Sequence, residues 1–393
     1  MTLAIFGGKP VRNTFLSYGQ QWIDEEDIQA VVDTLKSPFL TQGPAIEKYE
    51  KAVAEYAGAK YAVAFANGTA ALHGACYAAG IGNGDEVVTT PMTFVATSNS
   101  VLYVGGKPVF ADIDNQTYNI SPAAIERAIT RKTKAVIAVD YTGQPAALHE
   151  IKDICARLNL IFIEDAAHSL GATYRNEKVG SQADMTMFSF HPVKHITTGE
   201  GGIIVTNSLE YADKLRLFRS HGVTRDNSDE DKGPWYYEMV DLGMNYRMTD
   251  IQAELGISQL RKIDSFVKRR RDIAAAYNGQ FQSLKEVTVP YQEAVSESSW
   301  HLYMLRLNLD MLRVGRREIF EALRAENIGV HVHYIPVYYQ PYYRELGYGK
   351  GLCPVAEKWY EEALTIPLFP KMTDQDVESV IQGVTKVIKY FSK

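Results

Sequence analysis

The segment Ser189-Phe190-His191-Pro192-Val193-Lys194-His195-Ile196-Thr197-Thr198-Gly199-Glu200-Gly201-Gly202 sets one lysine among hydroxyls and glycines. An apolar run, residues 185–190, feeds this stretch and a second, residues 203–206, leaves it, the pattern of two strands joined by a loop. Desolvation lowers a lysine's pKa, and a neutral amine attacks a carbonyl to form a Schiff base. The chain holds 41 lysine and arginine residues, most of them necessarily solvated. Lys194 therefore needs a partner before chemistry outweighs an ordinary loop. Upstream, LIFIEDAAH (residues 160–168) reads as a short buried strand ending in a carboxylate, Asp165. Ligand groups collect at the carboxyl ends of strands in open α/β sheets. Such a pair suits pyridoxal phosphate, which takes a lysine for its aldehyde and a carboxylate for its pyridinium nitrogen.

The surrounding chain alternates strand and helix patterns. Asp24-Glu25-Glu26-Asp27 opens a helix over residues 28–35, its acids complementing the dipole. Residues 61–66 read as a strand that runs into Asn67-Gly68-Thr69, a helix start whose free N–H groups suit a phosphate, or a simple cap by Asn67 or Thr69. Residues 86–90 form another strand, after which residues 91–97 turn into a helix; Phe94, at the strand's end, is an aromatic able to lie on a flat ring or to pack in the core. Strands are expected at 108–111 and 134–139, and helices from Ser121-Pro122 and over 147–158. This βαβα rhythm predicts an α/β protein with a mostly parallel sheet between helices. Thr249 or Asp250 starts a helix reaching Leu260. Residues 261–271 are strongly charged and read as a solvated helical face, with a domain boundary close by. Beyond it, strands at 300–308 and 329–334, a helix at 316–327 and a last helix from Thr373, with Asp376 completing a capping box, predict a smaller α/β unit. The expected division is a large domain, 1–258, with an N-terminal arm to about residue 22, and a smaller C-terminal domain, 259–393. Alternation sets His331 and His333 on one strand face, but without a third ligand no metal site is assigned. The tyrosines at 338, 339, 342 and 343 suit either stacking on a sugar or base, or packing.

The pair EDAAHSLGA and SFHPVKHITTGEGG resembles the DegT/StrS family of nucleotide-sugar aminotransferases, and the resemblance runs over nearly the whole chain. It implies a fold-type-I transferase dependent on pyridoxal 5'-phosphate, with pyridoxamine phosphate formed during turnover. It makes Lys194 and Asp165 catalytic, with Lys194 holding the cofactor and Asp165 its ring nitrogen. Gly68, Thr69 and Ser189 would hold the phosphate, Phe94 would stack on the ring, and His168 would lie by the ring hydroxyl, where many relatives carry Gln. Asn245, in GMNYRM, would reach the phosphate of a partner subunit, which implies a homodimer with shared sites. Thr41, in LTQGP, and His333 and Tyr334, in HYIP, would contact substrate. The implied reaction moves the amino group of glutamate onto C4 of a nucleotide-linked 4-keto-6-deoxy sugar. HPVKHITTGEGG and HYIPVYYQPYY resemble more closely the subgroup acting on a UDP-linked N-acetylhexosamine on the pseudaminic acid route. Two rivals are a sugar dehydratase of the same fold, whose members replace the lysine with histidine, and a cofactor-binding regulator without turnover.

Composition bounds these readings. The 393 residues are 46% hydrophobic and 22% charged, ordinary for a globular chain. A net charge of -6 and the lack of a basic domain give no reason to expect nucleic acid as a partner. Cys76, Cys155 and Cys353 lack disulfide or metal spacing, and the first two read as core thiols. Without a signal-peptide pattern or an apolar run of membrane-spanning length, a cytoplasmic enzyme with no membrane partner is expected. The polar stretch 225–232 is expected to be a mobile surface loop.

Overall fold

A computed structural model describes residues 2–225 and 233–393; the polar stretch, apart from Arg225, lies outside them. The strands of the first half are β1 (Tyr61–Phe65), β2 (Glu86–Thr89), β3 (Lys107–Phe110), β4 (Thr133–Val139) and β5 (Ile161–Asp165), then a small hairpin, β6 (Thr173–Tyr174) and β7 (Glu177–Lys178), and then β8 (Met185–Ser189) and β9 (Gly202–Thr206). Among the described residues, seven of these build one sheet in the order β1-β9-β8-β5-β4-β2-β3. β9 runs antiparallel to both neighbours, and the remaining pairs are parallel. The mostly parallel sheet expected from the sequence is therefore present, with one reversed strand.

The helices are α1 (Glu25–Lys36), α2 (Pro44–Ala57), α3 (Gly68–Ala78), α4 (Ala96–Tyr103), α5 (Pro122–Ala128), α6 (Leu148–Leu158), α7 (Leu209–Arg219), α8 (Asp250–Leu260), α9 (Ile263–Phe281), α10 (Arg316–Ala325), α11 (Pro341–Glu345), α12 (Pro354–Glu362) and α13 (Asp374–Phe391). Period-two alternation divides the sheet between its two faces. Val63, Phe65, Met187 and Ile204 pack against α3 and α7. Ala64, Phe188, Ile203 and Val205 face α2 and α8, and Val136, Ala138 and Phe162 face α5 and α6.

Both residues weighed as the cap of α8 serve as caps. Thr249 accepts from Gln252 N and closes a capping box. The Asp250 carboxylate instead takes the Gly43 and Ala45 amides at the start of α2. Each such cap contributes about 1 kcal/mol. Asp27, fully buried, accepts from Ser258 Oγ at 2.6 Å and pairs with Lys262 at 2.7 Å, which docks α1 on α8. Cys76, Cys155 and Cys353 are all buried free thiols.

Short pairs β10 (Val223–Thr224) with β11 (Glu238–Met239), and β13 (Ser296–Glu297) with the β6–β7 hairpin, flank this body. A second sheet, in the order β12-β14-β15, joins Val287–Thr288, Tyr303–Leu307 and Ala363–Ile366. Its core takes residues from α9, α10 and α13, including Ile273, Tyr277, Ile319, Leu323 and Val384, and also Leu3 and Leu16 from the N-terminal segment. Thr373 and Asp376 close the expected capping box at α13.

Two expectations are corrected. Residues 329–334 do not form a strand: only His331 bridges, to Thr365, because the chain turns there toward the cavity described below. The charged run 261–271 is not simply a solvated face, since Arg270 is 1% exposed and donates to the carbonyls of Trp300, His301 and Leu368.

Candidate active site

The carboxyl ends of β4, β5 and β8 open on a cavity of about 810 Å³. Asp165, as the last residue of β5, enters it from the sheet edge. Its Oδ2 accepts from Thr97 Oγ1 at 2.7 Å, and its Oδ1 from Ala167 N at 3.2 Å. Thr97 is steadied in turn by Thr93 Oγ1 at 2.8 Å. Burial raises the Asp165 pKa, opposed by the Thr97 hydrogen bond and by the charge of Lys194. Lys194 lies in the loop between β8 and β9 and is half-buried in this chain. Desolvation lowers its amine to about 8, with Asp165 acting to raise it and Arg270 to lower it. A neutral, nucleophilic amine is thus accessible near neutral pH.

At the opposite wall, α3 begins with its N-terminus toward the cavity. Asn67 caps it by accepting from Ala70 N at 2.8 Å, so the cap reading holds and the N–H groups of Gly68 and Thr69 remain at the first turn. A Cβ on Gly68 would stand 3.3 Å from Ser189 Oγ, which brings that hydroxyl and the helix start to the same space. Beneath them, a Cβ on Gly202 would lie 2.5 Å from the Asn67 carbonyl oxygen, so only glycine allows β9 to pass so closely. Backbone N–H groups and a hydroxyl at a helix N-terminus form a cradle for a phosphate.

His168 Nε2 meets Tyr334 Oη at 3.1 Å, while its Nδ1 is buried with no hydrogen-bond partner. Burial, and then the nearby Lys194, hold this imidazole neutral. His301 packs against it with ring centroids 4.4 Å apart. His333 is buried, bonded to Thr365 Oγ1 at 2.8 Å and kept neutral by burial, its pKa lowered to about 3. Phe94 is 60% exposed on the cavity rim, its ring 6.5 Å from that of Tyr334.

Of the residues singled out in the sequence, Gly68, Thr69, Phe94, Asp165, His168, Ser189, Lys194, His333 and Tyr334 line this one cavity. Thr41 and Asn245 do not. Thr41 is exposed and bridges Thr249, and Asn245 is exposed and bridges Ser220. Tyr338 and Tyr343 pack in a core cluster away from the cavity. His331 stacks on His333 at 4.5 Å, and Tyr18 lies 5.3 Å from the first and 5.2 Å from the second.

Sequence reading missed Tyr18, Thr97 and His301, which also line the cavity. Thr93 precedes α4 and Thr97 lies in its first turn, so no helix periodicity joined them in the sequence. Tyr18 and His301 arrive from distant segments and carried no local signal.

With this geometry in hand, comparison with known proteins is decisive. The pattern of the DegT/DnrJ/EryC1/StrS aminotransferase family matches residues 21–385. The chain belongs to that family. A relative from Methanocaldococcus jannaschii, "Uncharacterized protein MJ1066", is 45% identical over 96% of this chain and 99% of its own length. A Campylobacter jejuni relative named UDP-4-amino-4,6-dideoxy-N-acetyl-beta-L-altrosamine transaminase is 37% identical over 96% of this chain and 99% of its own. The solved structure of Helicobacter pylori PseC, described as an aminotransferase involved in the biosynthesis of pseudoaminic acid, superposes with a TM-score of 0.91 at 34% identity, covering 96% of this chain and all of that one (100%). As a DegT/DnrJ/EryC1/StrS family member, the chain is an aminotransferase. Among the described residues no helix is long and apolar enough to cross a membrane.

Proposed function

We propose that this chain transfers the amino group of glutamate, by way of pyridoxal 5'-phosphate, to C4 of a nucleotide-linked 4-keto-6-deoxy sugar, specifically a UDP-linked N-acetylhexosamine. The observation that carries the reading is Lys194 with a lowered pKa in the same cavity as the buried Asp165. The names of the C. jejuni and H. pylori relatives support the sugar. The residues present fit the cofactor. The Gly68, Thr69 and Ser189 cradle suits its phosphate, and the orphaned His168 Nδ1 is a buried polar atom that a ring hydroxyl would satisfy.

In this reading the bound cofactor supplies an electron sink for the carbon that bears the amine. Asp165 keeps a proton on the ring nitrogen, since an anion beside a cation favours both charges. Lys194 Nζ would hold the cofactor's aldehyde, and its amine is the group that would move a proton at the carbon that carries the amine. Phe94 and His168 would bear on the cofactor's ring. Tyr334 and His333 face the substrate side, and Thr41 is read as a further substrate contact. Asn245, exposed and away from its own cavity, is read as the partner's phosphate contact in a homodimer with shared sites. The division near residues 258 and 259 separates the cofactor-bearing body from the smaller C-terminal unit in the same reading.

Incubation with glutamate should convert bound cofactor to pyridoxamine phosphate and release 2-oxoglutarate, and a panel of nucleotide 4-keto sugars should yield one aminated product identifiable by NMR. Failure to form 2-oxoglutarate would favour the dehydratase or the regulator. Sharing is tested by mixing Lys194→Ala and Asn245→Asp subunits, each inactive alone. Random exchange leaves one good site in about half the dimers, restoring roughly a quarter of the activity. No recovery despite proven exchange sinks the shared site.

A further inference from the structure

Behind the cavity, the same sheet edge buries two carboxyl groups that the proposed transamination does not use. Asp140 follows β4, Glu164 precedes Asp165 on β5, and both are 0% exposed. Alternation turns the Glu164 side chain to the face of the sheet opposite Asp165. Ala138 of β4 pairs with Glu164, and Asp140 lies two residues beyond Ala138, so both side chains fall on one face of the sheet, where two neighbouring buried carboxyls favour keeping one proton between them. Counting donors shows which one carries it. Asp140 Oδ1 accepts from Ala146 N at 2.8 Å and its Oδ2 accepts from Ser169 Oγ. Glu164 Oε2 accepts from Thr186 Oγ1 at 2.8 Å, but Oε1 is buried and receives no donor. An oxygen with no donor in a dry interior is satisfied by becoming a donor itself.

We infer that Glu164 is a neutral carboxylic acid donating its O–H to the Asp140 carboxylate, and that this pair positions Asp165 and His168. Asp140 reaches both. Its amide donates to the Asp165 carbonyl at 3.1 Å. Its carboxylate holds the hydroxyl of Ser169, the neighbour of His168, whose own carbonyl accepts from Ser299 Oγ at 3.0 Å. Asp140 thus ties both ends of the segment 165–169, which carries both cavity groups and is also held by Ala166 N donating to Met187 O at 2.9 Å, and Glu164 lies behind that aspartate. The shared proton also leaves one negative charge rather than two next to Asp165, so Asp165 is not a third buried anion. Burial pushes Asp140 up to about 6 and Glu164 well above its ordinary value, the same order of acidity that the donor count gives.

What Asp165 and His168 do rests on the proposed function; the carboxyl pair does not. The first test therefore uses the chain without cofactor. Infrared difference spectra at neutral pH should show a protonated-carboxyl C=O stretch above the amide band, sensitive to D2O and lost in Glu164→Gln. No such band, or its survival in Glu164→Gln, overturns the pair. The second test titrates cofactor into the variants. Glu164→Gln still offers Asp140 a donor and should keep the cofactor's absorption spectrum and its Kd within about twofold, whereas Glu164→Leu should weaken Kd about tenfold and shift the pH midpoint of that spectrum. Equal behaviour of the two variants refutes positioning through the donated hydrogen bond. If Glu164→Leu does not fold, the infrared band and the Glu164→Gln titration decide. Wild-type chain that binds no cofactor would sink the proposed function while leaving the infrared result standing.

Discussion

Arg270 and Lys194 are cations enclosed by protein with opposite surroundings. Arg270 lies where α9 meets the C-terminal sheet and directs its guanidinium at three carbonyls, of Trp300, His301 and Leu368. Burial lowers it to about 9, and those three carbonyls make it a joint between segments, although its Nε is buried without a partner and its charge also bears on Lys194. Lys194 faces a cavity, is lowered to about 8, and has beside it a carboxylate whose remaining valence points into open space. The imidazoles near it share this incompleteness, since Nδ1 of both His168 and His301 is buried without a partner. Buried polar groups that take their partners from the chain itself hold a fold together; those left open beside a cavity are held ready for a ligand.

The sharpest break of this comparison is Lys194→Ala. Turnover should fall by more than about 10⁴-fold, beyond what loss of an acid–base group alone produces. Borohydride reduction of the wild-type holoenzyme, followed by peptide mapping, should place the adduct on Lys194, and an adduct on any other lysine overturns the assignment. Asp165→Asn comes next. It keeps shape but not charge, and rapid-scan absorbance should show the glutamate half-reaction slowed by about 10²–10⁴-fold with only modestly weaker cofactor binding.

Arg270→Leu should do the reverse. Three carbonyls lose their donor, and thermal or denaturant unfolding should register a loss of about 3 kcal/mol, with activity per folded molecule largely kept. A larger effect on rate than on stability would move Arg270 into the catalytic group. The smallest effect concerns pH. The Lys194 amine is protonated and unreactive below its pKa and free above it. Cofactor capture by ligand-free enzyme should therefore quicken up to about tenfold per unit as pH rises and level off above about 8. Asp165→Asn, removing a charge that raises this pKa, should move the midpoint down. Arg270→Leu, removing one that lowers it, should move it up. A midpoint indifferent to both variants would show that neither charge reaches the amine.

Much of this was legible in the sequence, for physical reasons. Residues 161–163 and 135–139 are unbroken apolar runs because the strands that hold them are buried on both faces. Asp24, Thr249 and Thr373 betray helix starts because caps are short-range chemistry. The lysine and aspartate stood out because each follows or ends a strand. Other features depend on long-range packing that no local pattern encodes. Arg270 resembles its solvated neighbours in RKIDSFVKRRR until three carbonyls from elsewhere close around it. His301 and Tyr18 acquire meaning only when distant segments converge. The alternation in GVHVHY promised a strand, but the bridge from His331 to Thr365 is all that forms.

The register of β8 on β9 has one more consequence. Ser189 pairs with Gly202, and Phe190 N donates to Gly201 O at 2.9 Å, so the loop that carries Lys194 is pinned at both ends. Inside the ring, Thr198 N and Thr197 Oγ1 both donate to the Phe190 carbonyl, drawing it tighter. The entropy of closing that ring is lost when two antiparallel strands pair, long before any ligand arrives. What stays free at cofactor exchange is the rotamer freedom of a four-carbon stem, about 2 kcal/mol. In the proposed reaction, passing from holding a cofactor to moving a proton would ask only for the swing of one side chain, with the backbone beneath it already still.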